Sequence, residues 1–210
     1  MKRMHEFLAL SPVMPVIVLD QLEDAVPLAE ALVSGGIRVL EVTMRTSAAL
    51  DCVRAIREAV PTAIVGVGTI TSVAQMNAAR DAGAMFGVSP GTTPALLAHA
   101  ATSGFPFLPG SMTPSDVMRA LDAGFSAMKL FPAQQAGGIA MLRALGGPFP
   151  QVMFCPTGGI DAASAAGFLA LPNVACVGGS WLSPPGLIAS KNWREIQTRA
   201  AAAARLSSAN

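Results

Sequence analysis

VMFCPTGGIDAASAAGFLALPNVACVGGSW, residues 152–181, holds one full structural repeat. An apolar run, Val152–Phe154, leads to a turn built on Gly158-Gly159. Residues 161–170 then space their apolar side chains at helical intervals. A second apolar run, Val174–Val177, leads to Gly178-Gly179. Short apolar runs bounded by turn glycines read as buried strands, and the helix between them marks a strand–helix–strand unit.

The same alternation extends outward to both ends of the chain, at about 20–30 residues per strand–helix pair. Further strands are expected at Val13–Leu19, Val39–Val42, Ala63–Val67, Ala84–Val88, Phe105–Leu108 and Ala127–Leu130. Helical spacing fills Glu23–Ser34, Ala48–Ala59, Ser72–Ala82, Pro94–Thr102, Ser115–Ala123 and residues 139–145. Gly35-Gly36, Gly83, Gly104 and Gly124 fall just past helix ends, where glycine forms a left-handed cap most cheaply. Eight strands, each followed by a helix, read as an α/β chain folded into a single (β/α)8 TIM barrel with parallel strands. One domain spans residues 1–210, and a C-terminal helix, Trp193–Leu206, closes the ring. An open doubly wound sheet is the alternative. The count of eight and the lack of a GxGxxG turn after the first strand favour the barrel.

Composition narrows the function. Apolar residues make up 52% of the chain and charged residues 13%, so part of the surface is expected to be covered by other subunits. Every apolar run is broken by Gly, Pro or a charge before it could cross a membrane. Met1-Lys2-Arg3-Met4-His5-Glu6 lacks a signal-peptide pattern, which points to a cytoplasmic protein. The net charge of +1, without a basic cluster, argues against nucleic acid. Cys52, Cys155 and Cys176 suit buried thiols in a reducing compartment. Neither His5 nor His99 has metal-ligand spacing, so no metal is expected.

Barrel strands are buried on both faces, so a charge within one costs several kcal/mol unless it is paired or used. Lys2 and Lys191 read as solvated. Lys129 ends a strand in Ser126-Ala127-Met128-Lys129-Leu130-Phe131. Burial there disfavours the ammonium form, and a neutral amine can attack a ketone to give an iminium. The plainer reading is an ion pair, with Glu41 as the obvious partner. Glu41 ends the second strand, and strand ends converge on the active site of such barrels. Together the two would supply a nucleophile and a general acid/base. Arg45, in the loop that follows, suits a substrate carboxylate, or is simply a surface arginine.

The paired glycines after the last two strands are expected to present backbone N–H groups to a phosphate. Two tight turns without a ligand would read the same way. Ser89-Pro90-Gly91-Thr92 and Pro109-Gly110-Ser111 would shape the pocket, Thr69 could hydrogen-bond a ligand, and Phe131 could pack on the iminium. Asp20 and Asp161 read as helix-start residues.

The motifs Pro15-Val16-Ile17-Val18, Gly35–Thr46, Val65–Thr69, Ser89-Pro90-Gly91, Lys129-Leu130-Phe131-Pro132-Ala133, Gly146–Phe149, Phe154–Ile160 and Gly178–Trp181 occur in that order. With them the chain resembles the bacterial 2-keto-3-deoxy-6-phosphogluconate aldolases, which often also cleave 4-hydroxy-2-oxoglutarate. The likeness runs from Pro15 to Trp181. It implies a homotrimeric barrel, a small-molecule keto acid substrate, and class I chemistry without metal or cofactor. By motif, Lys129 resembles the Schiff-base lysine and Glu41 the general acid/base acting through water. Arg45 resembles the residue that holds the pyruvate carboxylate, with Thr69 and Pro90 lining that end. Phe131 resembles the neighbour of the iminium and Thr157 a substrate hydrogen-bonder. Gly158, Gly159, Gly179 and Ser180 resemble the phosphate site. Some relatives carry arginine where this chain has Val18, and Thr92-Thr93-Pro94 and Ser111-Met112-Thr113 also differ. Those differences bear on the choice of sugar acid rather than on the reaction type. Two rival readings use the same scaffold: a phosphosugar isomerase or epimerase with Glu41 as base, and a phosphometabolite sensor without turnover.

Overall fold

The computed structural model describes residues 2–206. Met1, residues 207–210 and the side chain of Lys2, expected to be solvated, lie outside the description. The strands are β1 Val13–Ile17, β2 Val39–Thr43, β3 Ile64–Gly68, β4 Gly87–Val88, β5 Phe107–Leu108, β6 Gly110–Ser111, β7 Ala127–Leu130, β8 Met153–Pro156 and β9 Val177–Gly179. The helices are α1 Lys2–Ala9, α2 Ala25–Ser34, α3 Ala49–Ala59, α4 Val73–Asp81, α5 Pro94–Thr102, α6 Pro114–Asp122, α7 Gly138–Gly146, α8 Ala165–Leu169, α9 Pro185–Ala189 and α10 Trp193–Ala204.

All strand pairing is parallel. One curled sheet runs β5-β4-β3-β2-β1-β9 and a second runs β6-β7-β8. Their ends meet on both sides. β5 and β6 are two halves of the fifth barrel strand, divided at Pro109, which has no N–H to give to a ladder. The carbonyl of Pro109 still accepts from Lys129 N at 2.9 Å, and Ser89 Oγ takes the Gly110 N–H at 3.1 Å. On the other side, bridges Phe154↔Val174 and Thr157↔Gly178 join β8 to the β9 segment. The result is a closed ring of eight strand positions, as expected.

Side-chain alternation, with period two, divides the core into two layers. Leu40, Val42, Met128 and Leu130 point outward and pack under helices with residues such as Leu28, Leu32, Val53 and Ile56. Val39, Ala127, Val88, Leu108 and Cys155 point into the barrel. Glu41 and Lys129 share the parity of Val39 and Ala127, which turns both toward the axis. They stand on β2 and β7, the second and sixth positions of the ring and therefore opposite walls.

The sequence reading missed α1. Met4, Phe7 and Leu8 are buried against Met14, Val39, Phe86 and Ala127 at the starts of the strands, so this helix floors the barrel. The Phe7 and Phe86 rings stand 5.8 Å apart. His5 Nε2 lies 2.9 Å from Ser126 Oγ, and burial lowers the imidazole from its ordinary value. At the far end of the chain α10 packs on α2. A Cβ on Gly35 would lie 2.7 Å from the Gln197 carbonyl, so glycine permits that approach.

Candidate active site

Glu41 and Lys129 meet across the axis near the C-terminal ends of the strands. Lys129 Nζ donates to Glu41 Oε1 at 3.1 Å and to Oε2 at 3.4 Å. Lys129 is 4% exposed and Glu41 0%. The carboxylate fits because its neighbour on β3 is Gly68, where any Cβ would overlap Glu41 Oε1. The pairing registers place Glu41 beside Val16 and Gly66, and Lys129 beside Gly110 and Cys155. The ion pair anticipated as the plainer reading therefore exists, and the reactive reading depends on open space beside it.

Neither Lys129 nor Glu41 lines a cleft directly, but one adjoins the pair through Phe131 and through Val16, the register partner of Glu41. This cleft of about 180 Å³ is lined by Val16, Val18, Arg45, Phe131, Thr157, Gly158, Gly159, Ile160, Gly178, Gly179 and Ser180. The Phe131 ring faces both it and the amine, with its centroid 5.4 Å from Lys129 Nζ. Phe131 follows β7 directly, so one strand end delivers both the amine and the ring. Arg45 is exposed in the loop after β2. The buried Thr157 follows β8 and hydrogen-bonds the Cys155 carbonyl at 3.3 Å. Gly178 leaves room for the Thr157 hydroxyl, which a Cβ there would strike.

Of the two glycine pairs only the first forms a turn; Gly178-Gly179, expected to follow the last strand, is the end of β9 itself. Gly158 and Gly159 take φ values of 105° and 76°, in the left-handed region that side chains avoid. Gly179 lies in β9, and the Trp181 ring occupies the space its Cβ would need. Both glycine pairs thus border one cleft, together with Ser180.

Of the residues singled out from sequence, Arg45, Phe131, Thr157, Gly158, Gly159, Gly179 and Ser180 come together around the cleft. Thr69 and Pro90 lie outside its lining. Thr69, at φ 64°, directly follows the Gly68 that accommodates Glu41. Pro90 backs Gly110, the register partner of Lys129: a Cβ on Gly110 would lie 2.5 Å from the Pro90 carbonyl oxygen. Thr69 thus follows the glycine that makes room for Glu41, Pro90 stands behind the register partner of Lys129, and neither lines the cleft. Gly178, one of the paired glycines expected to face a phosphate, lines the cleft as well; Val16 and Ile160 also line it and were not singled out, because an apolar side chain carries no chemical signal of a wall position.

Beneath the pair, Cys155 and Cys176 are buried, free thiols. A hydrogen bond from the Cys176 thiol to Cys155, with burial second, pushes the Cys176 thiol well above its ordinary value, so Cys176 is a structural rather than a nucleophilic group. Asp161 hydrogen-bonds the Ser164 N–H at 2.9 Å, capping the turn that enters α8. Lys191 pairs at the surface with Glu23 at 2.7 Å. Among the described residues no three His, Cys, Asp or Glu side chains converge on a metal position, and no helix is long and apolar enough to cross a membrane.

Comparison with known proteins places relatives around this geometry. The family model "Aldolase: KDPG and KHG aldolase" matches residues 4–199. A 2-dehydro-3-deoxy-phosphogluconate aldolase of Pseudoalteromonas atlantica is 49% identical over 88% of this chain and 86% of its own. The KHG/KDPG aldolase of Escherichia coli K12 is 48% identical over 91% of this chain and 90% of its own. A solved KDPG aldolase of Legionella pneumophila, with pyruvate captured at low pH as a covalent carbinolamine intermediate, superposes with a TM-score of 0.94. It is 46% identical and covers 96% of this chain and 98% of its own.

Proposed function

From the premise that the chain belongs to the KDPG and KHG aldolase family, we propose how its residues carry out the reaction. It is a carbon–carbon lyase of the Schiff-base class. Its substrate is 2-keto-3-deoxy-6-phosphogluconate, cleaved reversibly to pyruvate and glyceraldehyde 3-phosphate. 4-Hydroxy-2-oxoglutarate is a second substrate, giving pyruvate and glyoxylate.

The observation that carries the assignment of roles is the buried Lys129–Glu41 contact beside an open cleft. Passing a proton from Nζ to the carboxylate turns the ion pair into an amine and a carboxylic acid, the two groups that carbinolamine formation needs. The amine adds to the C2 ketone, and Glu41, directly or through a water, protonates the oxygen that leaves as water. The resulting iminium accepts the electron pair released when the C4 hydroxyl loses its proton and the C3–C4 bond breaks. The aldehyde departs, the enamine is protonated at C3, and water hydrolyses the iminium to free pyruvate and the lysine. The Phe131 ring packs against the planar iminium.

Arg45 holds the carboxylate of the keto acid, with Thr69 and Pro90 shaping that end. Thr157 hydrogen-bonds the substrate. Gly158, Gly159, Gly179 and Ser180 receive the phosphate through backbone N–H groups and one hydroxyl. No metal or cofactor takes part, since iminium formation supplies the electrophile. Trapping is the test: pyruvate with borohydride is expected to leave one reduced pyruvyl adduct on Lys129, located by peptide mass. No adduct, or an adduct on Lys191, overturns the covalent assignment. Activity that survives Lys129→Ala but not Glu41→Ala would instead indicate a noncovalent base mechanism.

The active protein is a cytoplasmic homotrimer in this reading. The low charged fraction of 13% and the free cysteines support it. Sedimentation is expected to give three times the chain mass of 21.4 kDa. A monomeric species with full activity would refute the trimer.

A further inference from the structure

The barrel has a second charged hollow, at the pole opposite the catalytic mouth. In a barrel of this kind the helices return antiparallel to the strands, so their C-terminal ends gather around the strand starts. Arg57 lies in the last turn of α3 and Arg80 in the last turn of α4. Arg3 comes from α1, the floor helix. All three line one cavity of about 330 Å³, together with Gly83, Met85 and Gly104 among others.

What distinguishes Arg3, Arg57 and Arg80 among the arginines is that they converge on one hollow. Arg54, Arg119 and Arg199 each hold a carboxylate one helical turn away, namely Asp51, Asp116 and Glu195. Among the described residues, Arg3 and Arg57 have no carboxylate within 4.0 Å, and Arg38, Arg45, Arg143, Arg194 and Arg205 also lack one. Arg80 reaches Asp81 only at 4.0 Å through Nε, with both side chains largely exposed. Arg3 stands over the Phe7 ring at 6.0 Å. Arg57 Nη1 donates to Met85 Sδ at 3.1 Å, a weak acceptor for a group with five donors. Helix dipoles favour the placement of Arg57 and Arg80, yet the dipole does not gather three cations around one hollow. Like charges so grouped repel unless an anion lies between them.

We propose that this hollow is a binding site for a small multivalent oxyanion, held by charge-assisted hydrogen bonds from Arg3, Arg57 and Arg80. The occupant ties the floor helix to the ends of α3 and α4. It is separate from the phosphate end of the cleft, because Gly158, Gly159, Gly179 and Ser180 lie at the other ends of the strands.

The test uses the whole protein with methyl-labelled methionine, followed by NMR at constant ionic strength. Inorganic pyrophosphate is the probe, and the Met85 methyl, assigned through Met85→Leu, reports on the hollow. Met44, in the loop after β2, reports on the mouth. Saturable movement of Met85 is expected, with affinity weakened by about tenfold or more, of the order of one charged contact, in Arg57→Ala and Arg80→Ala. Arg80→Ala is expected to keep the wild-type cleavage rate. Citrate as a second probe separates recognition of charge, where both bind, from recognition of phosphate, where pyrophosphate alone binds. Movement of Met44 alone, a Met85 response matched by sodium chloride, or unchanged affinity in both variants overturns the proposal. None of these outcomes bears on borohydride trapping at Lys129.

Discussion

At the scale of the residue, the proposed chemistry depends on one amine and one carboxylate at 3.1 Å, and Gly68 leaves the carboxylate the room it needs. Glu41→Gln keeps the volume and removes proton transfer, so kcat is expected to fall by about 10²–10⁴-fold. Pyruvate binding, measured separately, should change far less; a matching loss of binding would make Glu41 a structural residue. Gly68→Ala tests the fit from below. Its methyl group would overlap the Glu41 carboxylate, and displacing that group is expected to cost about 10²-fold in kcat/KM with the fold intact by circular dichroism. Unchanged kinetics would show that the carboxylate has freedom the geometry denies it.

The same scale shows what the sequence could reveal. Lys129 and Glu41 were visible because a charge inside a doubly buried strand is costly, and period-two alternation sends both inward. The sequence could not choose between the two readings of that lysine; the ion pair is present, and trapping tests the nucleophile. Both use the same contact, and only the cleft beside it separates them. Thr69 and Pro90 were grouped with Arg45 from their motifs; they lie outside the lining of the cleft, beside two glycines, Gly68 and Gly110, that allow close approach of the Glu41 side chain and of the Pro90 backbone.

At the scale of the element, α6 shows how local sequence fixes a helix start. Thr113 and Asp116 form a capping box, Thr113 Oγ1 accepting from Asp116 N–H and Asp116 accepting in return from Thr113 N–H at 2.8 Å. Arg119 adds an ion pair to the same carboxylate. Thr113→Ala is expected to cost about 1 kcal/mol, or about 2–4 °C in Tm, by thermal melting. Burial alone would raise the Asp116 carboxyl. Hydrogen bonds from Thr113 and Met112, together with Arg119, outweigh it and leave the group below its ordinary value of 3.8. A depressed carboxylate stabilises the fold above the unfolded value and loses that contribution as the pH falls through the folded one. The stability gap between wild type and Asp116→Asn is therefore expected at neutral pH and should shrink below pH 3.8. A gap that persists in acid would contradict the ionised cap. The sequence reading started this helix at Ser115 and did not register the cap, and it placed strand ends no better. The fifth strand was read as ending at Leu108, yet it resumes at Gly110 after Pro109, with the Ser89 hydroxyl bridging the gap. A side-chain acceptor standing in for a ladder partner leaves no periodic trace.

At the scale of the whole molecule, the ring and its closure by α10 could be read from eight repeats, but the floor could not. The first residues look polar as a string. The spacing of Met4, Phe7 and Leu8 at i, i+3 and i+4 was the available signal for α1. Phe7→Ala is expected to destabilise by about 3 kcal/mol, since it empties the inner core beside Phe86. Chemical denaturation measures that loss, and kcat should stay close to wild type because the floor is remote from the mouth. A collapse in kcat with little change in stability would mean that α1 acts on the reaction itself.

The pair proposed to react is also divided between the two sheets. Glu41 belongs to the six-stranded portion and Lys129 to the three-stranded one, with the break near Pro109 between them. Severing the gene after that break would place acid and amine on different polypeptides, each inert by itself. Catalysis on mixing would then act as a reporter of reassembly, since turnover requires both fragments to dock within a hydrogen bond's reach.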